Sequence, residues 1–373
     1  MQKIGLISFQ FWYNYGTCLQ AYALWKKIQL MGFDSEYIDF GWHYPMPERK
    51  DSVTSKIKCK VRKILGLDKL EKQVRKNNED NNKLFDAFRR GYIKESNLID
   101  ILKLSSIEND YSKFIVGSDQ TWNPDNVEEE FFKIFLLSFV HSSEKKCAYA
   151  PSIGRNNVTT HCLDLYKQYL NDFSYISCRE SSGCKILNEA LGRNIQQVLD
   201  PTLLLEPGDW TSIAENPLKD EGYILCYILG NKTCICKYAQ KLAQKENKKL
   251  YIISRNLDVY KSFGDYILQG VGPQEFVGLI RDCSCMVTDS FHGTIFSINF
   301  QKDFYTFHKR PGSQNESDNS RILDTLKQFG LEERFRNDTD ESFCPHINYK
   351  SATSILEEYR KKSVAYLSNI LNE

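Results

Sequence analysis

Short apolar runs alternate with stretches of helical periodicity near the start of the chain. Residues 3–8, which are mostly apolar, predict a first strand, residues 16–31 carry apolar positions at helical spacing, and residues 36–40 predict a second strand. Gly32, directly after the helical stretch, is typical of a helix C-terminus. This strand–helix–strand unit predicts two parallel strands joined by a right-handed crossover.

The same alternation continues to the end of the chain. Further strands are predicted at residues 113–117, 146–150, 175–180, 223–229, 250–254, 285–287 and 304–307. Further helices are predicted at residues 233–246, 273–280, 320–329 and 351–371. The pattern therefore predicts the α/β class, with two Rossmann-like lobes of parallel strands that face each other across a cleft and a C-terminal helix.

Turn-forming residues indicate where one lobe ends and the next begins. Pro207, Gly208, Pro217 and Gly222 all fall between residues 206 and 222. We therefore expect an N-terminal Rossmann-like domain, a basic helical insertion within it, a C-terminal Rossmann-like domain and a terminal helix. These units cover residues 1–205, about 48–110, 206–345 and 346–373, respectively.

The segment from residue 48 to residue 90 is richer in Lys and Arg than the rest of the chain. Its apolar residues Val53, Ile57, Val61 and Ile64 fall on one face of a helix. A basic amphipathic helix can lie on an anionic membrane surface. It can also pack on its own domain with its charges in water. Both interpretations stay open on the sequence alone.

Composition is that of a globular protein of ordinary charge. The 373 residues are 41% hydrophobic and 26% charged, which suits two globular domains. Lys and Arg number 49 against 48 Asp and Glu, so the balance gives no sign of a nucleic acid partner. No apolar run approaches the roughly 18 residues of a membrane-spanning helix. Without a charged leader and a long apolar region, a cytoplasmic protein is expected.

The 12 cysteines are scattered, many of them inside apolar runs. The pairs Cys234/Cys236 and Cys283/Cys285 do not have the spacing of a zinc site. Buried, reduced thiols are the expected state in the cytoplasm. We therefore predict no metal and no cofactor.

His292 stands where a predicted strand meets a predicted helix. It follows the apolar residues 285–287 and a polar turn at 288–290, and α/β proteins bind ligands at such strand ends. Free N–H groups and the helix dipole make the helix start suitable for an anion. An imidazole there can give or take a proton near neutral pH. The alternative is a packed histidine beside a capping residue.

Other turns place polar side chains at comparable positions. Those before the first helix and after the strand at 113–117 are Asn14, Tyr15, Gly16, Ser118, Asp119, Gln120 and Trp122. The first of these turns lacks the three glycines of a dinucleotide fingerprint. Arg155 follows the strand at 146–150 and can bind a carboxylate or phosphate with a forked contact, or be an ordinary loop residue. For Arg179, at the end of the strand at 175–180, a structural role is slightly favoured.

Four stretches in order resemble the motifs of the polysaccharide pyruvyl transferase family. They are residues 14–24, 116–123, 200–205 and 289–294, and the resemblance as a whole covers most of the chain, roughly residues 3–335. The resemblance implies a fold similar to that of GT-B glycosyltransferases. It also implies transfer of a pyruvyl group from phosphoenolpyruvate to a sugar, as a pyruvate ketal, in a surface polysaccharide or its lipid-linked precursor. A lipid-linked acceptor implies peripheral contact with the inner membrane face.

This reaction assigns roles to the turn residues. His292 would be the general acid/base that protonates the vinyl carbon of the donor. The groups expected to bind the donor carboxylate and phosphate are Arg155, Arg310, Arg321, Ser290, Gly293 and Thr294. The turns at residues 14–16 and 118–122 would contact substrate.

Ser290 departs from the family pattern, because these transferases often carry an Arg two residues before the motif histidine. Either Arg310 or Arg321 supplies the missing charge, or the chain uses another donor. Two alternatives therefore stay open. One is a GT-B-like glycosyltransferase that uses a nucleotide sugar, and the other is a non-catalytic protein that binds a sugar or an anion.

Overall fold

The computed structural model describes residues 3–41, 67–308 and 320–373. The strands are β1 (Lys3–Ile7), β2 (Ser35–Tyr37), β3 (Tyr111–Val116), β4 (Lys146–Ala148), β5 (Ser177–Cys178), β6 (Gln196–Gln197), β7 (Ile224–Ile228), β8 (Leu250–Ser254), β9 (Cys285–Thr288), β10 (Asp303–Phe307) and β11 (Phe335–Arg336). The helices are α1 (Tyr15–Leu30), α2 (Leu67–Tyr92), α3 (Glu129–Phe135), α4 (Thr160–Leu170), α5 (Ser181–Leu191), α6 (Pro207–Thr211), α7 (Thr233–Glu246), α8 (Leu257–Phe263), α9 (Pro273–Asp282), α10 (Phe291–Asn299), α11 (Ser320–Phe329) and α12 (Lys350–Asn372).

The N-terminal sheet has the order β2-β1-β3-β4, and every neighbouring pair is parallel. The parallel pair β5-β6 lies beside it, joined by a hydrogen bond of 2.9 Å from the Ala148 N–H to the Tyr175 carbonyl. Ile4, Leu6 and Ile7 of β1 are all buried. Such a continuous apolar strand is typical of a parallel sheet covered on both faces.

The C-terminal sheet has the order β11-β10-β9-β7-β8 and is also parallel throughout. The last helix, α12, returns to the N-terminal lobe, where the Leu199 N–H donates to the Ser363 hydroxyl at 2.9 Å. Tyr366 of α12 donates to the Ala148 carbonyl at 3.3 Å. The predicted class is confirmed, because two Rossmann-like lobes and a terminal helix form a GT-B-like architecture.

One hydrophobic core is continuous between the lobes. Within this core, Tyr15 of α1 stacks on Phe276 of α9 with ring centroids 4.3 Å apart. The Tyr15 hydroxyl donates to the Val271 carbonyl at 2.8 Å. The first turn of α1 is therefore fixed against the C-terminal lobe.

The described part of the basic segment is α2, which packs between the lobes. One face of this helix is buried and consists of Val74, Asn77, Asn81, Phe85 and Phe88. Its outer face carries the exposed residues Lys72, Arg75, Lys76, Lys83 and Arg90. From residue 67 onward the segment is thus a packed helix. Residues 48–66 lie outside the described residues, so membrane contact there stays a prediction. Among described residues, no helix has the length and apolar character needed to cross a bilayer.

Some elements differ from the pattern. The expected strands at 36–40 and 146–150 end at Tyr37 and Ala148. The second ends early because Ala150 adopts φ 57°, a left-handed conformation that cannot continue a strand. The pattern also missed α3, α4, α6, α8, β6 and β11, and the two strands have only two residues each, too few for a periodic signal.

Candidate active site

Strand ends from both lobes converge on one cluster of buried side chains. Asp119 follows β3, Arg179 follows β5, Asp200 follows β6, and His292 opens α10 after β9. Each of the four residues is at most 7% exposed. Because all these strands are parallel, their carboxyl ends bring together residues that are far apart in the sequence.

His292 lies between the first turns of α10 and α1. A Cβ atom on Gly16 would lie only 1.9 Å from its Nδ1 atom, so the imidazole occupies the space that this glycine leaves. The Nε2 atom lies 3.6 Å from Asp200 Oδ2, slightly beyond a direct hydrogen bond. Nε2 is buried and has no hydrogen-bond partner in the part of the chain that the structure describes. This nitrogen is therefore available to a substrate.

Asp200 is the carboxylate beside that imidazole. Its Oδ2 accepts from Arg179 Nη1 at 2.5 Å and from the Ser118 hydroxyl at 3.1 Å. Its Oδ1 accepts from the N–H and hydroxyl of Thr202 at 3.0 and 2.7 Å. Burial alone would raise the pKa of Asp200, but His292, Arg179 and the Thr202 N–H together hold this pKa well below its usual range. The carboxylate is therefore ionised at neutral pH and lies beside the imidazole of His292.

Arg179 is the buried cation of the cluster, with a side chain only 2% exposed. Carboxylate oxygens of Asp119 and Glu180 lie 4.0 Å from its guanidinium. The guanidinium carbon stands 4.5 Å from the centroid of the Phe291 ring. Burial lowers the pKa of Arg179, but the surrounding carboxylates, Asp200 first, raise it overall. Its Nε and Nη2 atoms have no hydrogen-bond partner among the described residues and can still donate.

Asp119 is held in an unusual backbone conformation, with φ 71°. Its Oδ2 accepts from the hydroxyl of Thr17, and its Oδ1 accepts from the Gln120 N–H at 2.8 Å. Burial opposes ionisation, but the charges of Arg179 and His292 outweigh burial and lower the pKa of Asp119. A left-handed non-glycine residue costs energy and is typical of functional sites.

The three predicted anion ligands beside His292 form hydrogen bonds with one another in the first turn of α10. The Ser290 hydroxyl accepts from the Gly293 N–H at 3.2 Å. The Thr294 hydroxyl donates to the Ser290 carbonyl at 3.0 Å. In the same motif, Asp289 accepts from the N–H groups of Leu229 and Gly230 at 2.7 and 2.8 Å. These contacts fix the helix and the loop after β7, and donor binding by Ser290, Gly293 and Thr294 stays a prediction.

The predicted arginines lie in different places. Arg321 faces Gln120, whose amide oxygen, turned toward it, accepts at 2.8 Å. Its guanidinium carbon is 5.6 Å from the centroid of the Phe291 ring, the ring that also contacts Arg179. Arg155 instead forms an ion pair with Asp125 in a neighbouring loop. Arg310 lies outside the described residues.

The predicted substrate ligands of the N-terminal lobe also lie in different environments. Ser118 and Asp119 join the cluster, and Gly16 contacts His292. Trp122 is fully buried, and its indole N–H donates to the Phe135 carbonyl at 2.9 Å, so it belongs to the lobe core. Asn14 caps α1 by accepting the Thr17 N–H at 3.2 Å.

Sequence reasoning left Asp200, Arg179 and Thr17 out of the predicted site. A signal was present for the first two, because each comes shortly after a strand, as Asp119 does. In residues 3–41, 67–308 and 320–373, no group of three or more His, Cys, Asp or Glu side chains is placed to hold a metal ion. A cavity of about 770 Å³ lies away from the cluster, between α1 and α12.

The facing lobes, with a histidine and ionised residues at their strand ends, define a two-lobed α/β protein of the GT-B-like class. A family model described as polysaccharide pyruvyl transferase matches residues 14–307. The chain therefore belongs to the polysaccharide pyruvyl transferase family, which is a family of transferases. This confirms the resemblance drawn from the four motifs.

No curated protein matches the chain. Among solved structures, UDP-GlcNAc 2-epimerase from Methanocaldococcus jannaschii is similar at 10% identity and TM-score 0.49, over 95% of this chain and 92% of that one. The Neisseria meningitidis UDP-GlcNAc 2-epimerase bound to UDP-GlcNAc aligns at 11% identity and TM-score 0.47, over 97% and 100%. The E. coli heptosyltransferase with ADP aligns at 8% identity and TM-score 0.43, over 96% and 99%.

Proposed function

We propose that this protein transfers a pyruvyl group from phosphoenolpyruvate to two hydroxyls of one sugar, leaving a cyclic pyruvate ketal. The sugar would belong to a surface polysaccharide or its lipid-linked precursor. The observation that carries the proposal is the buried, unpartnered Nε2 of His292 beside the ionised Asp200. A histidine in this setting suits proton transfer, which this reaction requires.

The proton steps follow from that geometry. The imidazolium gives its proton to the terminal vinyl carbon of the donor, and the adjacent carbon becomes an oxocarbenium-like centre. One sugar hydroxyl attacks this centre and returns a proton to His292. The C–O bond to phosphate then breaks, the second hydroxyl attacks the same carbon, and its proton leaves with the phosphate. Asp200 stabilises the imidazolium at the start and again after the first attack.

The cluster also suits an anionic donor. Arg179 keeps two nitrogens without a hydrogen-bond partner among described residues, and Arg321 contacts the same Phe291 ring. The helices α1, α5 and α10 begin beside the cluster, so their positive dipole ends add to the field of these arginines. Two arginines would thus supply the charge that Ser290 does not.

The test is turnover by the purified protein with phosphoenolpyruvate and a panel of sugar acceptors. We expect release of inorganic phosphate in step with ketal formation. The ketal is detected by NMR of the methyl group in the product. Release of a nucleotide from a nucleotide sugar, without phosphate release from phosphoenolpyruvate, would instead identify a glycosyltransferase. Binding of sugar without turnover of either donor would identify a non-catalytic protein.

A lipid-linked acceptor would bring this protein to the inner membrane face from the cytoplasm. The exposed Lys and Arg residues on the outer face of α2 are compatible with such contact.

A further inference from the structure

A second, smaller cavity adjoins the first turn of α1. It has a volume of about 80 Å³ and is lined by Asn14, Tyr227, Ser254 and Arg255, among others. Arg255 follows β8, so the cavity lies at the same sheet edge as His292, which follows β9. The strands β8 and β9 are separated by β7 alone. Neighbouring strands lie about 4.8 Å apart, which places the ends of β8 and β9 about 10 Å apart.

Arg255 brings to this cavity a positive charge that the described residues leave unpaired. Its Nη2 atom is buried and has no hydrogen-bond partner among them. Its guanidinium carbon stands 5.3 Å from the centroid of the Phe85 ring, a contact that neutralises no charge. The carboxylate of Asp289, at the end of β9, accepts from the N–H groups of Leu229 and Gly230. Because a buried polar nitrogen without a hydrogen-bond partner is costly, we expect its partner to come from outside the described residues.

The other polar groups that line the cavity are also donors. The Ser254 hydroxyl accepts from the Asn256 N–H at 3.1 Å, which leaves its own proton to donate. Asn14 accepts through Oδ1 from the Thr17 N–H, which leaves its Nδ2 amide to donate. A guanidinium with a hydroxyl and an amide forms a site for an anion with several acceptor oxygens. A volume of about 80 Å³ corresponds to a few water molecules, or a phosphate-sized group.

We propose that this cavity is a second anion subsite, and that it holds a phosphate group of the acceptor while the acceptor's hydroxyls lie at His292. The donor phosphate does not fit this role, because it is joined through one oxygen to the reacting carbon and must lie near His292. A separation of about 10 Å instead suits a phosphate on the far side of a sugar unit. The inference rests on the proposed function only in assigning the phosphate to the acceptor, since binding is measured without turnover.

The test compares Arg255→Gln with Arg90→Gln, which makes the same charge change on the exposed outer face of α2. Two probes present a phosphate group. One is glucose 1-phosphate in solution, and the other is polyprenyl phosphate in phosphatidylcholine vesicles, compared with the same vesicles without it. We expect Arg255→Gln to weaken binding of one of these probes about tenfold or more, because a charge-assisted contact is lost. Arg90→Gln should bind that probe as the wild type does. Which probe responds tells whether the phosphate is soluble or lipid-borne.

Thermal unfolding separates a binding role from a structural one. We expect Arg255→Gln without ligand to unfold at the wild-type temperature or above, because a charge with a buried nitrogen that has no hydrogen-bond partner among the described residues has been removed. The upward shift that the responding probe gives the wild type should be lost in Arg255→Gln. Equal binding by Arg255→Gln and the wild type, or no binding of either probe to the wild type, would overturn the subsite. Failure of the proposed function would look different, as absent ketal formation with phosphate binding intact.

Discussion

The two lobes bring different chemistry to the edge where they meet. The N-terminal lobe contributes Asp119, Arg179 and Asp200, whose charges hold one another in place. The C-terminal lobe contributes His292, whose Nε2 has no hydrogen-bond partner in the described ranges. The carboxylate of Asp289, which follows β9, accepts hydrogen bonds from two main-chain N–H groups.

Asp119, Arg179 and Asp200 thus form a fixed electrostatic platform, whereas His292 is the reactive group. The ionised cluster sets the field before any substrate arrives, which is the arrangement that stabilises developing charge most effectively. The imidazole remains free to exchange a proton. We therefore expect substitutions in the C-terminal half to affect turnover most, and substitutions in the N-terminal half to affect stability as well.

The largest effect is expected when the reactive group alone is removed. His292→Gln should lower kcat by about two to four orders of magnitude, because general acid/base help is lost. Its melting temperature should stay close to that of the wild type, since Arg179 still pairs with Asp200. The control is His161→Gln, at an exposed histidine that contacts Glu129. Near-normal turnover by His292→Gln, or an equal loss in both variants, would remove His292 from the chemistry.

A second prediction breaks the platform. Asp200→Asn should lower the free energy of unfolding at pH 7 by about 3–5 kcal/mol, because Arg179 loses its closest buried partner. The folded pKa of Asp200 is depressed, so the carboxylate stabilises the fold above its unfolded pKa and loses this effect as pH falls. The stability difference between wild type and variant should therefore shrink below about pH 4.

Urea unfolding at several pH values measures this difference. Asp80→Asn is the control, because Asp80 is exposed and pairs with Lys83 at the surface. That variant should change stability little at any pH. A stability difference for Asp200→Asn that stays constant as the pH falls below about 4 would mean that ionisation of Asp200 does not stabilise the platform.

The sequence predicted the platform only in part. The rule that ligands bind after strands pointed to Asp119 and His292, which follow the clear apolar runs at 113–117 and 285–287. It did not select Asp200, because β6 has only two residues and shows little periodicity. Arg179 follows a strand that the pattern did predict, but nothing local to it distinguishes a ligand from a structural ion pair. The alternation of strands and helices was much easier to predict, since burial in a parallel sheet imposes it locally.

The arginines show the limit of sequence reasoning. Arg155 and Arg321 both stand beside predicted turns, and nothing local distinguishes them. The structure distinguishes them, because Arg155 pairs with Asp125, whereas Arg321 contacts Gln120 of the other lobe and the ring of Phe291. Gly16 is a similar case, since its neighbour His292 is distant in sequence and is brought close only by the packing of the lobes.

The close approach of Gly16 to His292 links the N-terminal and C-terminal lobes at the candidate site. In a helix start, Gly→Ala alone would be neutral or slightly stabilising. At Gly16 the added Cβ would lie 1.9 Å from Nδ1 and 2.3 Å from Cγ of His292, so the imidazole must move. Overpacking of this kind costs about 1–3 kcal/mol. A displacement of about 1 Å at a reacting group can reduce turnover about 100-fold.

Gly16→Ala should therefore lose stability and turnover together. Gly91→Ala in α2 is the control, because no atom lies within 4 Å of the added Cβ. It should leave turnover unchanged. A double-mutant cycle then locates the clash: in a His292→Ala background, Gly16→Ala should cost little stability, because the imidazole it would strike is gone. If Gly16→Ala is equally destabilising in both backgrounds, the glycine is needed for another reason and the two halves do not meet through this contact.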